Sequence, residues 1–297
     1  MKNKFLILGI FSALSLSVFS QEVIRSVLQD TVNLDEVVIT GTTVKVSRHN
    51  VPLAVSVVGS RQITESVETA LLPVLNGRVP GLFVTERGIM GFGVSTGAAG
   101  QISIRGIGGS PSTGVLMLID GHPQFMGIFG HPLPDSYIAS DVEKVEVIRG
   151  PASILYGSNA MGGVINVITK KQTYDSIQGN AHLMYGSYNT QKYMASAGYK
   201  KNKFSSFVSL NHDQTDGHRE NSEFKITNGY LKLGYELNPG LNINTDFSLA
   251  RFKTTDPGPD TINALTGNSL YISRGYWSVA ADNNFGNFSG TAKLFYN

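Results

Sequence analysis

Two histidines and several aromatic side chains are concentrated in one short segment of the sequence. Residues 121–134 read GHPQFMGIFGHPLP, in which Gly-His-Pro occurs twice, nine residues apart. The prolines restrict the backbone, and the apolar residues follow neither helical nor strand periodicity, so the segment predicts a fixed loop. His122 and His131 could bind a metal or a haem iron. The alternative is that both histidines only form hydrogen bonds within a packed loop.

Other chemistries find little support. The chain has 297 residues and no cysteine, which excludes a disulfide scaffold, a thiolate zinc site and a Cys nucleophile. The glycine-rich stretches lack both the dinucleotide-binding spacing and the Walker pattern, so they predict loops and not phosphate cradles. A net charge of +2 gives no basic field for nucleic acid. No acid–base or nucleophile set stands out, and we predict neither an enzyme nor a bound cofactor.

The N-terminus predicts export. Lys2 and Lys4 precede an uncharged apolar run of 15 residues, Phe5 to Phe19. This run is short for a spanning helix, which needs about 20 residues, so residues 1–20 predict a cleaved signal peptide. The alternative is an uncleaved anchor.

The composition changes near residue 171. Before residue 172 lie 8 of the 11 prolines, and after residue 171 lie 19 of the 28 aromatic residues. The first part predicts a mixed α+β domain with a small sheet, and Asp120-Gly121 predicts its hairpin turn. A helix is predicted from a cap at Ser60 through Ile63, Val67 and Leu71 up to Pro73. The predicted strands are Leu53–Val58, Gly81–Thr85, Gln101–Arg105, Val115–Ile119, Lys144–Arg149 and Val164–Thr169.

The second part alternates apolar and polar residues. Leu231, Leu233, Tyr235 and Leu237 occupy odd positions, and the runs 241–249 and 288–296 repeat the pattern. Aromatic residues lie near the turns, a tight turn is predicted at 238–240 and a polar loop at 254–269. Together with the alternation, these features predict a transmembrane β-barrel. A soluble antiparallel sandwich is the alternative. We expect six or seven strands between Ile177 and Asn297; a barrel that encloses a domain needs about 22, so the chain predicts an N-terminal fragment.

The sequence also resembles a known family. The segment 141–170, DVEKVEVIRGPASILYGSNAMGGVINVITK, closely resembles the closing segment of the plug domain of TonB-dependent outer-membrane receptors. Segments 75–84, 101–106 and 115–121 are similar to three further plug motifs, in the family's order. The resemblance implies a domain order of signal peptide (1–20), periplasmic segment (21–40), plug domain (41–171) and first barrel strands (172–297).

The resemblance also implies roles for particular residues. The segment Asp35, Glu36, Val37, Val38, Ile39 and Thr40 is similar to the TonB box, which would add as a strand to the periplasmic protein TonB; a first strand of the plug sheet is the alternative. Arg105 and Arg149 would pair with carboxylates of the barrel wall, unless they are solvated surface arginines. The plug loop that would contact ligand contains His122, Gln124, Phe125, Met126, Phe129 and His131.

The implied function is active transport at the outer membrane. Its partners would be TonB, outer-membrane lipid and a bulky small-molecule ligand, with an iron–siderophore complex or haem favoured and cobalamin as another candidate. A signal-transducing receptor and a passive plugged porin are the alternatives. Only residues 21–34 separate the predicted signal peptide from the TonB-box-like segment, which is too short for the extra domain of a signalling receptor.

Overall fold

The computed structural model describes residues 37–38, 46–47, 53–66, 68–85, 94–95, 98–99, 101–109, 113–124, 132, 137–256, 268–286 and 288–297. All of them fall in one compact unit, Asp35–Asn297. It contains an N-terminal module of short strands and helices (residues 53–171) and a seven-stranded antiparallel sheet. No helix in the described part is long and apolar enough to cross a membrane.

The N-terminal module is built around a mixed sheet of five strands. The strands are β3 (Val55–Gly59), β9 (Val115–Ile119), β10 (His122–Pro123), β11 (Val142–Arg149) and β12 (Gly163–Thr169). Their order across the sheet is β10-β9-β12-β11-β3, and β9 and β12 form its one parallel pair. All five residues of β9 are buried because the sheet is covered on both faces.

Smaller elements complete the module. Three short helices are α1 (Ser60–Thr64), α2 (Leu71–Leu75) and α3 (Ser153–Tyr156). A three-stranded sheet joins β4 (Leu82–Val84), β7 (Ile102–Ile104) and β8 (Ile107–Gly109). A two-stranded sheet within the module joins β5 (Val94–Ser95) with β6 (Ala98–Ala99), and another, before the module in the chain, joins β1 (Val37–Val38) with β2 (Val46–Ser47).

The single predicted helix after Ser60 is wrong in two respects. The helix begins after Gly59, whose backbone N–H is capped by the Gln62 side chain at 3.2 Å, so Ser60 is its first residue and not its cap. It ends at Thr64, and a separate helix, α2, contains Pro73. Immediately before α2 the backbone pairs with a distant segment, because Ala139 N–H donates to Thr69 O and Leu71 N–H donates to Tyr137 O. A tertiary contact therefore overrides the local helical spacing.

Glycine is required at two places in the module. Asp120 and Gly121 both have positive φ, +46° and +83°, and they form the tight turn that the sequence predicts between β9 and β10. Gly163 begins β12 with φ +151°, and a Cβ there would lie 2.2 Å from the Ile148 carbonyl oxygen. Any larger residue would force β11 and β12 apart at this point.

The seven-stranded sheet follows the chain order without crossovers. The strands are β13 (Ser176–Gly186), β14 (Thr190–Lys201), β15 (Phe204–Thr215), β16 (Phe224–Asn238), β17 (Leu241–Asp256), β18 (Asn268–Phe285) and β19 (Phe288–Tyr296). The longest strand, β18, has 18 residues, and β13 and β19 form the two edges of the sheet.

The alternation predicted for these strands is present. On what we call the outer face, large apolar residues such as Leu210, Phe247 and Trp277 are 63%, 48% and 43% exposed. On the opposite, inner face, residues such as Ser209 and Asp246 are buried against the N-terminal module. The sheet is therefore apolar outside and mainly polar inside, as a membrane wall requires.

Two details of the predicted strands are wrong. The loop expected at 254–269 is shorter, because Thr254, Thr255 and Asp256 continue the ladder with Leu270, Ser269 and Asn268. The sequence predicts aromatic residues near turns, but Tyr276 lies in the middle of β18, where it is buried beside the N-terminal module.

Candidate functional site

The N-terminal module is joined to the seven-stranded sheet by a cluster of charged and hydroxyl side chains. Lys232 on the inner face of β16 donates hydrogen bonds to Asp120 Oδ2 and Thr169 Oγ1, both at 2.7 Å. Lys293 on β19 donates to the Asp120 backbone carbonyl at 2.5 Å. Tyr230 donates its hydroxyl to Thr169 Oγ1 at 2.8 Å. We call these five residues the Lys232 junction.

The β9–β10 turn and the end of β12 position the module's side of this junction. Asp120 stands in the turn, and its Oδ1 accepts the Thr169 backbone N–H at 3.0 Å. Asn166 Oδ1 accepts the Gly121 N–H at 3.1 Å. The Asp120 carboxylate thus lies at the ends of the adjacent strands β9 and β12, and a hydrogen bond within the module helps to orient it towards the seven-stranded sheet.

Burial and neighbouring charge act in opposite directions on the pKa of Asp120. Desolvation by burial favours the neutral acid, but the Lys232 ammonium and the hydrogen bonds from Lys232 and Thr169 outweigh it, so the pKa of Asp120 falls below its usual value. The group is therefore ionised at neutral pH. The Lys232 junction is an ion pair supported by hydrogen bonds and largely removed from water.

A second contact lies beside the junction. Asp141, next to β11, accepts a hydrogen bond from the Ser209 hydroxyl on β15. Burial raises the pKa of Asp141 despite that hydrogen bond. Thus two carboxylates of the module face the same sheet with opposite pKa shifts. Asp120 forms an ion pair with Lys232, whereas at Asp141 burial outweighs the hydrogen bonds and the charge of Lys170.

His122 and Gln124 lie at the edge of this interface. The His122 ring is only 1% exposed and lies between Tyr276 and Phe295, with ring centroids 5.1 and 5.3 Å away. Burial and the Lys293 charge lower the pKa of His122 to about 4, so the ring is neutral. Gln124 Nε2 donates to Asn297 Oδ1 at 3.3 Å. Ligand contact by either residue stays a prediction.

The structure places the other predicted site residues as follows. Arg105 is exposed in a turn with φ +53°, and Arg149 is partly buried at the end of β11. Neither forms an ion pair with another described residue, and pairing with a barrel carboxylate stays a prediction. Val37–Val38 pair with Val46–Ser47 in a sheet separate from the five-stranded one. Asp35, Glu36, Ile39, Thr40, Phe125, Met126, Phe129 and His131 lie outside the described residues.

The described residues offer no metal site. No group of three or more His, Asp or Glu side chains within them is placed to hold an ion. Among the cavities that they form between the module and the sheet, two are of particular size. One, of about 370 Å³, lies between the segment after α1 and strands β13 to β15; the other, of about 230 Å³, adjoins the Lys232 junction.

Comparison with known proteins identifies the N-terminal module. Residues 47–164 match the family model of the TonB-dependent Receptor Plug Domain. This chain carries a TonB-dependent receptor plug domain. The module is accordingly called the plug below, and the seven-stranded sheet the wall.

Solved structures show the same combination of plug and wall. The ferripyoverdine receptor of Pseudomonas aeruginosa, bound to ferripyoverdine, superimposes with a TM-score of 0.69 at 16% identity over 88% of this chain and 36% of its own. The alcaligin outer-membrane receptor of Bordetella pertussis gives 0.66 at 18% identity over 85% and 40%. The ferric enterobactin receptor of Pseudomonas aeruginosa, a mutant bound to enterobactin, gives 0.59 at 23% identity over 81% and 40%.

These matches establish the fold, a plug followed by antiparallel strands of a β-barrel. The chain covers about two fifths or less of the length of the receptors it matches. The soluble sandwich is thereby excluded as the fold of the wall. The matched proteins are named as receptors.

Sequence reasoning located the Asp120-Gly121 turn but missed the Lys232 junction. The available signal was a charged residue at an inner-face position in the middle of a strand, as at Lys232, Asp246 and Lys293. A buried charge needs a partner. The sequence does not show which partner, because Asp120 and Lys232 are 112 residues apart.

Proposed function

We propose that the full-length protein is an outer-membrane receptor that imports an iron–siderophore complex with energy supplied through TonB. The observation that carries this proposal is the position of the plug. It is held by polar side chains to the inner face of a wall whose outer face is apolar and exposed. Lipid would cover the outer face, and the plug would close the lumen until it is moved.

The matched receptors support the proposed ligand class. Ferripyoverdine and enterobactin occupy two of those receptors, and the third is named for alcaligin. No covalent step is required: the protein would capture the chelate on its outer side, and plug movement would open a path. Haem and cobalamin are the other ligands to be tested.

Energy coupling would act through residues 35–40. The Val37–Val38 strand pairs only with Val46–Ser47 among the described strands and is not part of the five-stranded plug sheet. It could leave that partner and add to a strand of TonB without dismantling the plug. The N-terminal residues 1–20 would direct export to the outer membrane.

Two measurements test the proposal, made on the full-length protein expressed in a deletion strain. The first is uptake of radioactive iron supplied as siderophore or as haem, with labelled cobalamin in parallel, with and without a protonophore. We expect siderophore uptake that the protonophore abolishes. Uptake that survives the protonophore would indicate a plugged porin, and ligand-dependent transcription without uptake would indicate a signalling receptor.

The second measurement compares two proline variants. Val38→Pro removes an amide donor from the TonB-box-like strand, and we expect siderophore binding to persist while uptake stops. Val46→Pro, in the partner strand, is the matched control and should retain uptake. Full uptake by Val38→Pro would contradict coupling through this segment.

A further inference from the structure

The register of the wall places a second counter-charge beside Lys232. Lys232 on β16 and Asp246 on β17 are direct cross-strand neighbours. Directly opposite side chains have Cβ atoms about 4.5–5.5 Å apart, close enough for a lysine and a carboxylate to pair. The Lys232 ammonium nevertheless bonds to Asp120 and Thr169 of the plug. The wall therefore contains an opposite-charge pair in register that the plug keeps apart.

Asp246 is not fully satisfied in this arrangement. It is only 4% exposed. Its Oδ1 accepts the Ser278 hydroxyl at 2.5 Å, while its Oδ2 has no hydrogen-bond partner among the described residues. An unsatisfied buried carboxylate oxygen is costly, and a native structure that keeps one calls for an explanation.

The surroundings leave room for a change of partner. Asp246, Lys232, Lys293 and Asp120 all line the cavity of about 230 Å³ at the junction. A lysine side chain is a flexible four-carbon stem, so its ammonium can turn between carboxylates while the backbone stays in place. Asp246 Oδ2 is therefore a free hydrogen-bond acceptor among the described residues, and the register and the cavity would allow the Lys232 ammonium to reach it.

We propose that Asp246 takes over the Lys232 ammonium when Asp120 of the plug leaves the wall. Without this exchange, plug movement would leave Lys232, whose side chain is only 11% exposed, without a counter-charge. With it, one ion pair replaces another and the barrier to separation is lower. Asp246 is thus a positioning residue for plug release. The inference rests on the proposed function only in requiring that the plug separates from the wall.

A direct test uses plug release in place of transport. These 297 residues contain no cysteine, and any cysteine in the rest of the full-length protein is replaced by serine, so that Ile168→Cys, beside the same cavity, gives a single thiol at the plug–wall interface. Its rate of maleimide labelling is measured on the full-length protein in outer membranes under graded urea. We expect Asp246→Asn to slow labelling by about tenfold, since the amide can accept from Ser278 but cannot neutralise Lys232.

The wall offers a matched control in Asp282. This aspartate lines the same cavity, but its two oxygens already accept hydrogen bonds from Thr291 Oγ1 at 2.7 Å and Asn244 Nδ2 at 3.0 Å. Asp282→Asn removes the same charge without removing an open acceptor, and it should label at the wild-type rate. Equal slowing by both variants would mean that cavity charge matters and not partner exchange.

A double-mutant cycle separates exchange from a structural role of Asp246. In a Lys232→Met background no ammonium remains to transfer, so adding Asp246→Asn should have no further effect on labelling. If Asp246→Asn slows labelling equally in both backgrounds, or has no effect in either, the proposal is overturned. Siderophore uptake is measured on the same variants: its absence in the wild type would count against the proposed function, while the labelling result would still decide the exchange.

Discussion

The plug and the wall bury their apolar side chains in different ways. In the plug, β9 is buried at all five positions and β12 at six of seven. In the wall, β16 alternates over its first eight residues, and the large apolar residues of its outer face remain exposed. The plug sheet is covered by protein on both faces, whereas the wall has protein on one face and an exposed apolar surface on the other. The spacing of apolar residues along a strand therefore indicates whether protein covers one face or both faces of its sheet.

The largest effect is expected in the centre of the plug sheet. Met117 is 0% exposed in β9, and Met117→Asp would bury an unpaired carboxylate there. We expect the plug to lose about 4 kcal/mol or more and to become protease-sensitive while the barrel stays intact. Met117→Leu, which nearly conserves volume, should cost less than about 1.5 kcal/mol. A plug that tolerates the aspartate would show that β9 is not covered on both faces.

Lysine substitutions on the two faces of β17 should differ in their cost. Phe247 lies on the outer face of β17 and is 48% exposed, so Phe247→Lys should cost about 2–4 kcal/mol in a lipid bilayer, if the site lies near its midplane. Asn244→Lys, on the inner face beside Asp282, should cost less than about 1 kcal/mol. Reversible urea unfolding in vesicles measures both. Equal costs would contradict a lipid-covered outer face.

The plug–wall interface should carry a pH dependence from His122. Its pKa is lowered from 6.5 to about 4, so between these values the unfolded chain binds the proton and the folded chain does not. Stability is therefore full above pH 6.5 and decreases as pH falls towards 4, by on the order of 2–3 kcal/mol. Denaturation midpoints of the full-length protein at several pH values measure this.

Two variants test whether His122 causes this pH dependence of stability. His122→Phe keeps a ring between Tyr276 and Phe295 but cannot be protonated, so its stability should change less between pH 6.5 and pH 4. His182→Gln changes an exposed histidine of the wall and should behave like the wild type. A pH profile that His122→Phe leaves unaltered would assign the loss to other groups.

The smallest effect is expected for a single hydroxyl. Tyr230→Phe removes the 2.8 Å hydrogen bond to Thr169 and should destabilise the plug–wall interface by about 1 kcal/mol. Tyr235→Phe, five residues along the same strand on the outer face and 49% exposed, should have no measurable effect. The difference between their thermal midpoints isolates the contribution of one inner-face contact.

The sequence predicted those elements whose causes are local. Strand β9 has the predicted bounds, and the turn at Asp120-Gly121 follows from two residues that tolerate positive φ. The helix after Ser60 was wrong because the 69–71 segment pairs with 137–139, a contact that local spacing cannot reveal. The candidate site depended even more on distant residues, because Lys232, Thr169 and Lys293 received no role from the sequence. His122, one of the two histidines predicted to contact ligand, lies buried between two aromatic rings, and ligand contact there stays a prediction.

What the sequence by itself determined is the division into a plug and a wall, since period and composition are properties of neighbouring residues. The tertiary structure alone decided which inner-face side chains meet the plug. Asp120 receives one lysine from 112 residues away and another from 173 residues away, while Asp246 keeps an open oxygen opposite the first of them. Alternation fixes the face on which a side chain lies, but only the packing of plug against wall fixes its partner.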